Sequence, residues 1–102
     1  MQVKQPERSI LQEADQVAGV SRSRDYGHPY DNHRRIAAMW NVRLEGKLKE
    51  LITPGEVAEL MILLKCARLT NSYTRDSVLD IAGYAKCRDM IAEHEEKSRN
   101  GV

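Results

Sequence analysis

Residues 56–85 read EVAELMILLKCARLTNSYTRDSVLDIAGYA, and this stretch decides the fold. It has the pattern of two helices joined by a short polar turn at Asn71-Ser72-Tyr73. The first helix starts on Thr53-Pro54-Gly55-Glu56: threonine caps, proline takes the first helical position, and Glu56 stands three residues after the cap. At about 100° per residue, its apolar side chains cover nearly the whole circumference. Val57, Leu60, Leu63 and Leu64 lie on one side, and Ala58, Ile62, Cys66 and Leu69 on the other. A helix apolar all round is a buried helix, so residues 54–69 are expected at the centre of the fold. The second helix starts at Thr74 or Arg75 and runs to about Glu96, with a charged, solvated tail.

Upstream, Ser9 and Gln12 have capping-box spacing, and Ile10, Leu11, Ala14, Val17 and Ala18 recur at helical intervals. A helix over about Ile10–Ala18 follows, with Gly19 as its stop. Residues 21–32, SRSRDYGHPYDN, are dense in turn formers, and Pro29 pushes His28 towards an extended conformation. A further helix is capped by Asp31 or Asn32 and carries Ile36, Ala37, Met39, Trp40 and Leu44 on its apolar face, with Trp40 in the core. Gly46 interrupts it, and Leu48, Leu51 and Ile52 add a frayed turn. No strand pattern, internal repeat or low-complexity tract occurs. The expectation is one all-α domain, a four-helix antiparallel bundle-like fold with loose tails at 1–7 and 97–102.

At 102 residues the chain suits a single domain of modest stability. Its net charge of +1 gives no argument for DNA or RNA binding through bulk field. Cys66 and Cys87 sit in helical patterns without metal-ligand spacing, and read as buried free thiols in a reducing cytosol. There is neither a membrane-length apolar run nor a signal-peptide pattern, so a cytoplasmic location is expected. So short a helical chain needs a partner to cover its apolar helix, which points to a homodimer or higher homo-oligomer.

Lys65 lies within MILLKCARL, an ammonium in a wall of leucine. A charge there is costly unless it is paired or faces a wet cavity. Lys65 and Arg68 share a face, as do Asp76 and Asp80, whose stripe continues through Gly83, Tyr84 and Cys87. Antiparallel helices would bring Arg68 to Asp76 or Asp80, leaving Lys65 to another helix or a ligand. Such a cluster serves either as a register-fixing ion network or as a site, with basic groups for phosphate and carboxylates for magnesium or ligand hydroxyls. So many converging charges favour the site.

A second cluster packs Arg22, Arg24, Tyr26, His28, Tyr30, His33, Arg34 and Arg35 into residues 22–35. Arginine grips phosphate by paired hydrogen bonds, and tyrosine offers a ring on which a base stacks. Arg34 and Arg35 read as solvated, whereas Tyr26 and Gly27 read as part of a site. His28 and His33 are badly spaced for one metal on a helix, so zinc is discounted. No Gly-rich phosphate loop or nucleophile motif is present.

The order and spacing of DYGHP, IAAMW, ITPGEVAELMILLKCARL and DSVLDIAGYA, within about Ile10 to Ile91, resemble small phage and prophage proteins of the nucleotide-modification-associated type. Those are similar in turn to MazG-like all-helical nucleotide pyrophosphohydrolases. The resemblance implies dimers or larger assemblies with sites near subunit interfaces. It also implies an E-x-x-E pair on one helix and an E-x-x-D pair on the next, holding magnesium beside a nucleoside triphosphate. Glu56 and Glu59 match the first pair. Asp76 and Asp80 stand in for the second, one residue too far apart, with Ser77 at the glutamate position, a departure that weighs against this chemistry.

The leading expectation is a protein that binds a nucleotide or nucleotide-derived metabolite. Arg22, Arg24, Tyr26, Gly27 and His28 would hold phosphate and base, over a floor of Lys65, Arg68, Asp76, Asp80 and Tyr84. In a phage it would handle modified nucleotides or sequester a host nucleotide signal. The alternatives are a magnesium-dependent pyrophosphohydrolase with Glu56, Glu59, Asp76 and Asp80 as ligands, and a non-catalytic interaction module whose central charges are structural.

Overall fold

Four α-helices among the described residues each begin on a side chain that accepts a backbone N–H. The computed structural model describes residues 8–21, 24 and 27–101, and among these are four α-helices and no strand. Ser9 opens α1 (Ile10–Gln16), and His28 opens α2 (Pro29–Arg43). Thr53 opens α3 (Pro54–Asn71), and Thr74 opens α4 (Arg75–Arg99). Capping boxes at Ser9/Gln12 and Thr53/Glu56 are both closed, as their spacing predicts.

Two helix ends differ from the expectation. α2 starts before Asp31 and Asn32, because Gly27 at φ 81° turns the chain and Pro29 has no N–H to satisfy at the first helical position. The cap is His28, whose Nδ1 accepts from the Tyr30 N–H at 3.0 Å. Gly19 does not stop the first helix, which continues as a π-helical turn over Val17–Ser21. A Cβ at Gly19 would lie 2.8 Å from Lys86 Cε, the end of a flexible side chain that can move aside. Residues 48–53 are irregular rather than a frayed helical turn, and Lys97 to Arg99 continue α4 where a loose tail was expected.

α3 and α4 form the central antiparallel pair. Lys65 meets Asp80 and Glu59 meets Arg88, so moving back along α3 moves forward along α4. The core lies between them at Val57, Ala58, Cys87 and Ile91, closed by Ala14 and Ala18 on one side and His33 and Ala37 on the other. α1 is tied to α4 by Glu13–Arg75 at 2.8 Å and by Asp15–Lys86. The bond to Asp15 raises the Lys86 pKa above its ordinary 10.5, against a smaller opposing effect of burial. A raised folded-state pKa contributes stability that is fully present below about pH 10.5 and lost as pH rises through the raised value. Asp15→Asn is expected to flatten that alkaline loss in denaturation curves taken across the lysine titration range. An unchanged slope would show that the pair contributes nothing.

The central helix is not buried all round. Val57 and Ala58 are fully buried, but Leu60, Leu63 and Leu64 are 40%, 62% and 43% exposed. Cys66 is likewise exposed, whereas Cys87 is buried as expected. Trp40, expected in the core, is half-buried. The reason is thickness: the chain measures 54 × 36 × 20 Å. Its short axis is about two helix diameters at ~10 Å each, so each helix has neighbours on only part of its circumference. No helix among the described residues is long and apolar enough to cross a membrane.

Candidate functional site

The last turns of α3, the connection at residues 72–74 and the first turns of α4 enclose an open polar concavity of about 410 Å³. Its charged lining is Lys65, Arg68, Asp76 and Asp80, the four residues that sequence reading grouped, and its hydroxyls come from Ser72, Thr74 and Ser77. Thr74 caps α4 by accepting the Ser77 N–H at 3.2 Å and donates its own hydroxyl to Ser77 Oγ at 2.8 Å. The N-terminal end of a 25-residue helix therefore faces the concavity, where unpaired N–H groups and the helix dipole favour an anion.

Within this lining the pairing is reversed from the expectation. Lys65, expected to need another helix or a ligand, meets Asp80 at 2.9 Å, with its side chain only 14% exposed. Arg68, expected to meet Asp76 or Asp80, is exposed. Among the described residues neither Arg68 nor Asp76 has an ion-pair partner. Helix geometry explains the exchange. Lys65 points towards α4, and three residues on Arg68 is turned about 60° away. The concavity thus holds one preformed neutral pair, one uncommitted guanidinium and one uncommitted carboxylate.

Asp80 also forms the polar lip of a smaller cleft between α4 and the first helix, lined by Ala14, Val17, Ala18, Gly83, Tyr84 and Cys87. Tyr84 lies here, its ring tilted against His33 at 6.1 Å, and not in the polar concavity. The cleft volume of about 30 Å³ is close to that of one water, too small for a nucleobase.

Among the described residues of the basic segment, none lines this concavity. Arg22 and Tyr26 lie outside the described residues. Gly27 supplies the turn and His28 the cap, while the His28 and Tyr30 rings pack on His94 at 5.1 and 4.4 Å. His94 and Asp76 are five turns of α4 apart, about 27 Å at ~1.5 Å per residue. Gly27 and His28 are therefore a helix start, remote from the polar concavity. Arg24, Arg34 and Arg35 are exposed.

Nor do the four carboxylates converge. The Glu56 side chain accepts the Thr53 N–H at 3.0 Å, Glu59 accepts from Arg88 Nε at 2.8 Å, and both lie at the end of α3 away from Asp76 and Asp80. Among the described residues no three His, Cys, Asp or Glu side chains lie close enough to hold a metal ion. Sequence reasoning missed Arg75, Lys86 and Arg88 as partners of Glu13, Asp15 and Glu59, because pairs separated by 29 residues or more leave no local spacing signal. It also missed Tyr73 as a candidate; its position between Ser72 and Thr74 was the available signal, and it is 73% exposed.

The family model described as "Domain of unknown function (DUF6378)" matches residues 9–92. The "Gene 55 protein" of Mycobacterium phage L5 is 46% identical over 90 residues, covering 87% of this chain and 56% of that protein. The "Gene 55 protein" of Mycobacterium phage D29 is 42% identical over 86 residues, covering 83% of this chain and 54% of that protein. The chain thus spans about half the length of the curated relatives it matches. No solved structure matches it. The resemblance to phage proteins is upheld; neither the family nor these two relatives carries a MazG-like description.

Proposed function

We propose the following for this chain, which belongs to the DUF6378 family: it binds a nucleotide or nucleotide-derived metabolite in the polar concavity between α3 and α4. The observation that carries the reading is the exposed Arg68, without an ion-pair partner among the described residues, beside the Lys65–Asp80 pair and at the head of α4. Arg68 provides a planar fork for phosphate oxygens, with Lys65 as a second cation behind it. Ser72, Thr74 and Ser77 add hydroxyls, and Asp76 accepts from ligand hydroxyls or shares a magnesium ion carried by the nucleotide. Tyr73 offers the exposed ring on which a base stacks. Binding without hydrolysis is favoured because Glu56 and Glu59 are engaged elsewhere within the chain. Handling of modified nucleotides and sequestration of a host nucleotide signal both fit such a binder.

The test is a thermal-shift screen over nucleotides, cyclic nucleotides and nucleotide sugars, with and without magnesium. At least one is expected to raise Tm. For that ligand, Arg68→Ala is expected to weaken binding by about 10–100-fold, the loss of one charged hydrogen-bonding partner. Tyr73→Ala should weaken it without changing any response to inorganic phosphate. If no member of the panel shifts Tm, the reading fails. Release of pyrophosphate would replace binding alone with hydrolysis.

A further inference from the structure

The charged lining of the polar concavity consists of two cations and two carboxylates, and one of each is already engaged within the chain. Lys65 holds Asp80 at 2.9 Å, with its side chain only 14% exposed. Drawing that ammonium onto a ligand would leave the Asp80 carboxylate unpaired beside the ligand's own negative charge. Arg68 and Asp76, both exposed and without an ion-pair partner among the described residues, are what remains for a ligand.

This inventory sets two requirements. On the positive side, the charge of a single phosphate is matched. Arg68 grips two of its oxygens as a fork, and the first turn of α4 adds partial positive charge. A second or third phosphate would lie against Asp76 and Asp80 with no further uncommitted cation in the described lining, and like charges so placed repel. On the negative side, a donor is needed. An ionised carboxylate only accepts hydrogen bonds, and the hydroxyls of a ribose are donors that a carboxylate commonly takes. A magnesium ion escorting a phosphate chain would find little support, since Asp80 is held by Lys65 and Glu56 and Glu59 are engaged at the other end of α3. The volume of about 410 Å³ also suits a compact ligand, because small-molecule sites run from about 300 to 1,000 Å³.

We infer that the concavity selects a ribonucleoside carrying one phosphate group, bound without a metal ion, over a nucleoside triphosphate. This rests on the nucleotide reading of the site and narrows it. Arg68 holds the phosphate, Asp76 takes the ribose hydroxyls, and the two carboxylates together turn a phosphate chain away. Asp76 is thereby the residue that sets specificity. The preference is opposite to the magnesium-bound triphosphate that the likeness to pyrophosphohydrolases implies.

The experiment is calorimetric titration of the full chain with the 5′-mono-, di- and triphosphates of adenosine, guanosine, cytidine and uridine. The 2′-deoxy monophosphates are run alongside, and the whole series is measured in EDTA and again with magnesium. For the nucleoside bound best, the monophosphate is expected to bind at least about 10-fold tighter than the triphosphate in EDTA. Loss of the 2′-hydroxyl is expected to weaken binding by about 10-fold. Asp76→Asn should reverse the order. Triphosphate affinity rises because a repelling charge is gone, while monophosphate affinity falls and the 2′-hydroxyl ceases to matter. Asp76 is exposed in the first turn of α4, so the fold should be kept; circular dichroism checks this, with Asp76→Ser as the second variant. Triphosphate binding as tight as that of the monophosphate in EDTA, or binding that requires magnesium, overturns this choice of ligand and leaves the nucleotide reading standing. Equal binding of ribose and deoxyribose forms overturns the role of Asp76. If no nucleotide binds at all, both fall together.

Discussion

Ile91→Ala is expected to lower the unfolding free energy by about 2–5 kcal/mol. Ile91 is fully buried and is among the largest side chains of the α3–α4 core, which is otherwise filled by small groups such as Ala58 and Cys87. The Arg88 guanidinium lies over the start of α3, where a Cβ at Gly55 would be 2.7 Å from it. Shortening Ile91 removes three carbons from a close-packed core, which relaxes only partly around the gap. Total stability for a domain of this size is about 5–15 kcal/mol, so the loss is a large share of it. Tm should fall by on the order of 10–30 °C. Chemical denaturation checks this, with Met39→Ala as reference, since Met39 is 72% exposed and should change stability by only about 0.5 kcal/mol. Equal effects of the two substitutions would show that the core is misplaced.

The second large effect is expected at Asn41. Its amide oxygen accepts the Ile52 N–H at 2.8 Å, and its amide nitrogen donates to the Ile52 carbonyl at 3.1 Å. One side chain thereby satisfies both backbone groups of a residue in the irregular segment between α2 and α3. It also holds the chain immediately before Thr53, the cap of α3. Asn41→Ala is expected to cost about 1–3 kcal/mol, because partly buried backbone groups lose their partners. Asn41→Asp should be no better: it keeps the acceptor but sets a carboxylate oxygen against the Ile52 carbonyl. Hydrogen exchange supplies the specific readout, with the Ile52 amide exchanging faster in both variants. An unchanged Ile52 amide would mean that the clamp does not hold this segment.

How much was legible follows from how far apart the interacting residues lie. Ser9/Gln12 and Thr53/Pro54/Glu56 each settle a helix start within four residues, and both starts stand where the spacing puts them. The α3–α4 hairpin was legible too, because a turn of three residues leaves two long helices little choice but to lie antiparallel. From that hairpin came the convergence of Lys65, Arg68, Asp76 and Asp80 on one concavity. The pairing inside it was misread because the reading matched charges by closeness to the turn. Rotation around the helix decides instead, and it turns Lys65 inward and Arg68 outward.

Gly27 and His28 differ from the expectation for another reason. Arginine and tyrosine density resembles a ligand loop wherever it lies, and nothing local says which end of α4 it meets. Gly27 and His28 turned out to start α2 beside His94, five turns from the concavity.

The sequence by itself determined the helices, their caps, the central hairpin and the residues that line its polar end, because hydrogen bonds and hydrophobic periodicity act over a few neighbouring positions. Only the tertiary structure decided that Lys65 takes Asp80 and leaves Arg68 uncommitted, that the carboxylates of α3 and α4 stay apart, and that half of an all-apolar helix faces outward. Those outcomes depend on how many layers of helix a chain of this length can build. Two layers give each helix neighbours on only part of its surface, and no pattern within a helix records which part that will be.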